Sequence, residues 1–312
     1  MILVPEVQPL RSLLDSRIVG HDAAKDALLL ALTCREHIYL EGPPGTAKTL
    51  LAELTARASG LNFFFHQFHR DTRLSELVGD TVLERRPLDS GGEQIHQRTE
   101  PGAMLSAQIA VLDDISRAPG EALNVLLRIL NEREFDGARL GLLSAIATSN
   151  PFDDDYYNEP LDPANLDRFA LQLRVEGLLH DPNSPQALEL LRHFSERPES
   201  EAEWPQRVVE PGLFDALYAR LDQVQVPAFV TDALLRFVRT LIEEYECNER
   251  NSLLTDRTFL VKAVKLLRGR ALLASRSSVE LEDLDILHWM TTFRVPAEVQ
   301  EKIPAIVAAC RS

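Results

Sequence analysis

Cysteine is scarce: the 312 residues hold three, Cys34, Cys247 and Cys310, far apart and outside any CxxC spacing. An odd, scattered set argues against a disulfide framework or a cysteine-based zinc site and fits a reducing compartment. Long apolar runs are missing too. No uninterrupted stretch approaches the ~18 residues that a bilayer span requires. The opening segment MILVPEVQPLRSLLDS has no basic region ahead of an apolar core, so a cytoplasmic protein with no membrane insertion is expected. Positive charge is in deficit. With 33 basic residues against 48 acidic ones the formal net charge is −15, which opposes long-range attraction to phosphate backbones and argues against nucleic acid as the partner. No Ser-His-Asp, Cys-His or paired-carboxylate hydrolase arrangement stands out, and there is no internal repeat.

What the chain does have is an ordinary apolar share, 45%, and a clear rhythm. The segments HIYL, NFFFHQF, IAVLDD and LLSAIATSN read as buried strands, separated by helical patterns. In TLLAELTARASG the residues Leu50, Leu51, Leu54 and Ala58 share a stripe that stops at Gly60; in PGEALNVLLRILNE the residues Leu123, Leu126, Leu127 and Leu130 do the same. Strands alternating with helices imply a parallel sheet covered on both faces. Two segments break the rhythm and read as hairpins, one turning near Gly91 and Gly92, the other at Asp136 and Gly137. After Gly177 strand signals stop, and a Pro-rich bridge leads into helices. The expectation is a three-layer α/β/α domain over residues 1–178 and a smaller all-helical domain over 179–312. Trp204 and Trp289 are expected to anchor a core or a domain interface.

Between the first strand and its helix stands GPPGTAKT, Gly42 to Thr49. That context suits a phosphate cradle: backbone N–H groups and a helix N-terminus face the anion, Lys48 reaches the terminal oxygens, and the Thr49 hydroxyl ligates Mg²⁺. Ala47 stands where glycine is usual, a mild departure provided its φ stays negative. The next apolar strand ends in Asp113 and Asp114. Asp113 is placed to hold the magnesium and Asp114 to polarise an attacking water.

With both motifs in hand the chain resembles an AAA+ ATPase, and within that superfamily the MoxR family, including its RavA-like branch. RIVGHDAAKDALLLAL is similar to the segment those proteins use around adenine, which implies Val19 and Gly20 at the base. YLEGPPGTAKT resembles the family's P-loop, implying that Gly42, Pro43, Pro44, Gly45, Thr46, Ala47, Lys48, Thr49 and Leu50 hold ATP, with Thr49 and Asp113 on Mg²⁺. ATSNP resembles sensor 1 and nominates Asn150, whose amide can orient water or the γ-phosphate. LDPANLDRF resembles the arginine-finger segment and nominates Arg168, whose guanidinium could neutralise charge on a neighbouring subunit's nucleotide. LLTDRTFLVKAVKLLRGRALL resembles the sensor 2 helix and nominates Arg257.

The resemblance implies a remodelling, chaperone-like ATPase working as a homo-oligomeric ring, a hexamer by expectation. It further implies a von Willebrand factor A domain partner and a protein client matured or loaded with metal. One position departs from the pattern. The family's Walker B pair is Asp-Glu, and here it is Asp113-Asp114. One methylene less withdraws the carboxylate by ~1.5 Å, and a misplacement on the order of 1 Å can cost ~100-fold in rate. ATP binding with slow hydrolysis is expected. A nucleotide-gated ring scaffold that docks a partner is the alternative, with a magnesium-chelatase-like or nucleic-acid motor subunit as a third reading.

Overall fold

A computed structural model describes residues 3–87, 93–99, 102–152, 161–178, 185–196, 204, 207–254 and 256–311. Two helices, α1 (Gln8–Arg17) and α2 (Asp22–Cys34), precede strand β1 (Ile38–Glu41). There follow α3 (Lys48–Ala58), β2 (Phe63–Gln67), α4 (Leu74–Val78), the pair β3 (Thr81–Pro87) and β4 (Glu93–Thr99), β5 (Ile109–Asp113) and α5 (Gly120–Glu132). The small pair β6 (Glu134–Phe135) and β7 (Ala138–Arg139), β8 (Ser144–Ser149), α6 (Pro163–Leu166) and β9 (Leu171–Arg174) complete the α/β part. The rest is helical: α7 (Pro185–Glu196), α8 (Leu213–Arg220), α9 (Ala228–Glu243), a π-helical segment Asp256–Val261 that runs into α10 (Lys262–Leu273), then α11 (Ile286–Thr291), α12 (Ala297–Gln300) and α13 (Ile303–Cys310). Among the described residues no helix is long and apolar enough to cross a membrane.

The main sheet has five parallel strands in the order β2-β5-β8-β1-β9. Its inner strands β5, β8 and β1 are buried on both faces, and the two-residue period divides their side chains cleanly. Ile38, Leu40, Ile109, Val111, Ile146, Leu171 and Leu173 point into one apolar cluster. Tyr39, Ala110, Leu112, Ala145 and Ala147 point into the other, with Leu126 and Leu130 of α5. The first cluster does not stop at the sheet. It continues through α1 and α2 into the helical part, where Leu217, Phe237, Leu266 and Ile303 belong to the same packing.

Contact between the two parts is close. A Cβ on Gly269 of α10 would lie 2.1 Å from the Cys34 sulfur of α2, so only glycine lets these helices approach this far. The buried Glu36 carboxylate accepts from Lys265 at 2.6 Å, tying α10 to the start of β1. Beside it His37 is wholly enclosed: its Nε2 faces the Leu130 carbonyl at 2.8 Å and its Nδ1 accepts from the Ala145 amide at 2.9 Å. Those partners fix a neutral ring protonated at Nε2. Burial lowers its pKa to about 4.

Both expected hairpins are present as strand pairs. Asp136 and Gly137 have φ of 54° and 77°, the two positive values that a two-residue turn between twisted strands requires. The β3–β4 pair is antiparallel with Pro87 opposite Glu93, while its turn at Gly91 and Gly92 lies outside the described residues, as do Asp153 to Asp155. Trp289 packs partly buried against the core. Trp204 does not: it is exposed, with the guanidinium of Arg57 on α3 4.7 Å from its ring centroid.

Candidate nucleotide site

Because β1 lies beside β8 and β8 beside β5, the segments leaving the carboxyl ends of these three strands converge. That edge is where open parallel sheets place their ligands. The turn after β1 holds Gly42 to Thr49. Gly42 is required sterically, since a Cβ would lie 2.1 Å from the Val175 carbonyl oxygen. Gly45 takes φ 81°. Ala47 also enters the left-handed region, at φ 61°, immediately before α3. The sequence expectation of a negative φ there is therefore corrected: the turn must reverse its backbone at this point to start the helix, and alanine bears a strain of about 1 kcal/mol that glycine would not.

The functional side chains form one connected chain of hydrogen bonds. Lys48 Nζ donates to the carbonyls of Gly42 at 2.7 Å and Pro43 at 2.8 Å and reaches Asn150 Oδ1 at 3.3 Å. Asn150 Nδ2 in turn donates to Asp114 Oδ1 at 3.2 Å. On the other side Asp113 Oδ1 accepts from Thr49 Oγ1 and Thr148 Oγ1, each at 2.6 Å. Thr148 Oγ1 also receives the Asp114 amide at 3.2 Å. Thr148 was missed in the sequence. It sits two residues before Asn150 on β8 and differs from any buried strand threonine only by where the topology puts it.

Burial shapes the charges. Desolvation lowers the Lys48 pKa against the pull of Asp114, Asp113 and Glu41. Desolvation also raises that of Asp114, opposed by Arg117, whose Nε lies 3.7 Å away, and helped by Asp113. A partly buried carboxylate with a raised pKa is suited to accept a proton. Thr49 and Asp113 offer hard oxygen donors side by side, which suits Mg²⁺ completed by phosphate oxygens and water. Among the described residues no group of three or more His, Cys, Asp or Glu could hold a metal without such help.

Next to the phosphate turn opens a cavity of about 550 Å³ lined by Val19, Pro43, Pro44, Gly45, Thr46, Ala47 and Leu50 together with Arg17, Ile18, His21, Gly177, Leu178 and Leu190. Gly20 stands behind this wall at φ 72°, where a Cβ would lie 2.9 Å from Leu178. An apolar slot beside a phosphate turn fits a flat base. Two of its lining residues, Leu178 and Leu190, were not read from the sequence; Leu190 is on α7, which follows a Pro-rich bridge.

Of the two remaining nominated residues, only Arg168 can be placed, and it makes no hydrogen bond to this cluster. Arg168 follows α6 in the turn before β9, half-buried and without an ion pair among the described residues. Its acidic neighbours are engaged elsewhere: Asp167 faces Arg294 at 3.3 Å, and Asp162 caps α6 through the Ala164 amide. Arg257 falls in the π-helical segment, and its side chain lies outside the described residues.

A parallel five-stranded sheet with a P-loop, an acid pair and a polar strand end at adjacent carboxyl edges, followed by a helical lid, defines an AAA+ P-loop protein. Comparison with known proteins narrows this. Residues 6–202 match the model of the MoxR domain in the MoxR-vWA-beta-propeller ternary systems, and the chain belongs to that family. It is 32% identical over 163 residues to the chaperone MoxR1 of Mycobacterium tuberculosis, covering 51% of this chain and 41% of that one. Protein MoxR of Methylorubrum extorquens is 29% identical over 168 residues, 51% of this chain and 46% of that one, so the match spans less than half of either MoxR relative. An uncharacterised protein of Methanocaldococcus jannaschii is 25% identical over 290 residues, 91% of this chain and 70% of its own. The crystal structure of a candidate ATPase from Cytophaga hutchinsonii superposes with a TM-score of 0.74 over 98% of this chain and 93% of that one, at 19% identity, a likeness of fold.

Proposed function

We propose that the chain binds ATP with Mg²⁺ and hydrolyses it slowly, as one subunit of a homo-oligomeric ring that remodels a protein client. The observation that carries this reading is the unbroken contact path from Lys48 through Asn150 to Asp114, with Thr49 and Asp113 alongside. Base and sugar would enter the cavity lined by Val19 and Leu50. Lys48 and the backbone amides of the turn would meet the phosphates. Thr49 and Asp113 would hold Mg²⁺, which when bound supplies charge neutralisation on the phosphate oxygens. Asp114 accepts the proton of the attacking water, and Asn150 orients that water by holding the Asp114 carboxylate in place. Arg168 would act on the nucleotide of the adjacent subunit and Arg257 on its own. A finger in trans needs a head-to-tail interface, which closes into a ring; we take it as a hexamer in the cytoplasm.

The matched family supports a von Willebrand factor A domain partner and a β-propeller component. Maturation or metal loading of the client is the corresponding role. Asp114 in place of glutamate favours a second reading, a nucleotide-gated scaffold in which turnover is incidental. The formal charge of −15 speaks against a nucleic-acid motor. The test is titration of a fluorescent ATP analogue with and without Mg²⁺. Lys48→Ala should abolish binding, and binding equal to the parent would remove the basis of the proposal. Stimulation of phosphate release by the partner domain separates motor from scaffold.

A further inference from the structure

Arg294, in the helical part after α11, is the largest fully buried side chain among the described residues, and nothing in the nucleotide site uses it. A guanidinium carries five N–H donors, and here all five are engaged. Nε reaches Asp167 Oδ1 at 3.3 Å; Nη1 donates to the carbonyls of Ala170 at 3.1 Å and Met290 at 2.6 Å; Nη2 donates to those of Asp167 at 3.3 Å and Phe169 at 2.8 Å. Four of these bonds grip the turn on both sides of Arg168. Met290 is on α11.

A second grip holds the same turn. Gln172, buried on β9, donates through Nε2 to the carbonyls of Leu166 at 2.8 Å and Phe169 at 3.1 Å, while its Oε1 accepts from the Phe293 amide at 3.2 Å. The turn is thus bound to Arg294 directly and to Phe293 through Gln172, while Arg294 is itself tied to Met290 of α11. In the opposite direction the Arg294 carbonyl accepts the Leu253 amide at 2.9 Å. Leu253 lies just ahead of the π-helical segment that carries Arg257. One residue therefore joins the lid segment nominated to sense a subunit's own nucleotide to the turn nominated to act on its neighbour's. Burying a charged fork with Asp167 as its ion-paired carboxylate and Glu36 acting from further off is a costly way to stabilise a fold, and its planar fork holds the backbone groups it meets in a fixed arrangement.

We propose that Arg294 is a positioning residue, which with Gln172 makes the Arg168 turn move as one piece with α11, so that lid movement at one site sets the placement of Arg168 at the next. The inference rests on the reading of Arg168 as acting in trans. Its test is single-turnover hydrolysis of γ-labelled ATP by the assembled full chain, alongside nucleotide affinity and sizing by gel filtration. Arg294→Lys and Gln172→Met should each slow hydrolysis by roughly tenfold or more, the scale expected for displacement of a reacting group by under 1 Å. Affinity should stay within about twofold of the parent, since neither residue lines the base cavity. Added to Arg168→Ala, neither should slow hydrolysis further, because both act through that side chain. Losses that multiply with Arg168→Ala, or parental rates in both variants, overturn the proposal. Should Arg294→Lys fail to fold, Gln172→Met decides alone, as it removes the second grip without leaving a buried charge. A parental rate in Arg168→Ala itself would instead sink the trans reading, and the coupling with it.

Discussion

Replacement of Asp114 by glutamate is the sharpest probe of the site. Asp114 takes φ 53°, a left-handed conformation that short polar residues tolerate best, and its amide is fixed on Thr148. Its carboxylate cannot advance by backbone adjustment without breaking that bond. The added methylene of Asp114→Glu carries the carboxylate forward by ~1.5 Å. If the present placement is short by that distance, correction is worth ~100-fold in kcat, about 2.7 kcal/mol of barrier. Glutamate in this backbone region should cost about 1 kcal/mol of fold stability, so the gain in rate should accompany a slightly lower melting temperature. ATP affinity should not change, because Lys48 and the turn that bind phosphate are untouched. The assay is phosphate release at saturating Mg-ATP across pH. Desolvation raises the Asp114 pKa, so the acid limb of the parent's rate profile should lie above the ordinary carboxylate range. A variant no faster than the parent at any pH would refute the argument from side-chain length.

Other consequences follow from packing. Burial holds His37 at a pKa of about 4, so between roughly pH 6.5 and 4 the unfolded chain takes up a proton that the native one refuses. Stability should be complete above that window and fall by roughly 3 kcal/mol as pH drops through it, read by urea unfolding; His37→Gln should flatten this component. Ala47→Gly should relieve the positive φ and raise the melting temperature by about 2 °C in a thermal scan. Gly269→Ala would improve an ordinary helix, yet here it should destabilise by about 1–3 kcal/mol through contact with Cys34, with Cys34→Ala restoring most of the loss.

Much of this fold was legible because its strands are short, apolar and bounded by turn residues. The P-loop could be read from eight consecutive positions, and the acid pair from its place at a strand end. What escaped was non-local. Thr148, Leu178 and Leu190 carry no signal of their own and join the site only through strand order and the return of α7 over the cavity. Arg294 is further still: 126 residues after Arg168 in the chain, it reads as one more helical arginine until the sheet edge and α11 meet. Trp204 shows the opposite error, since a large aromatic promises burial but can equally lie on the surface beneath an arginine. The sign of φ at Ala47 was likewise beyond a pattern reading, because nothing in the residue type foretells where a turn must reverse.

The shared apolar packing that runs from β1 to α13 has a practical meaning for anyone dissecting the molecule. A truncation after residue 178 would strip bare the face of α2 that packs on α8 and α10, giving an insoluble fragment instead of a minimal ATP-binding unit. Intact protein should accordingly show one calorimetric transition, with no separate melting of a detachable half.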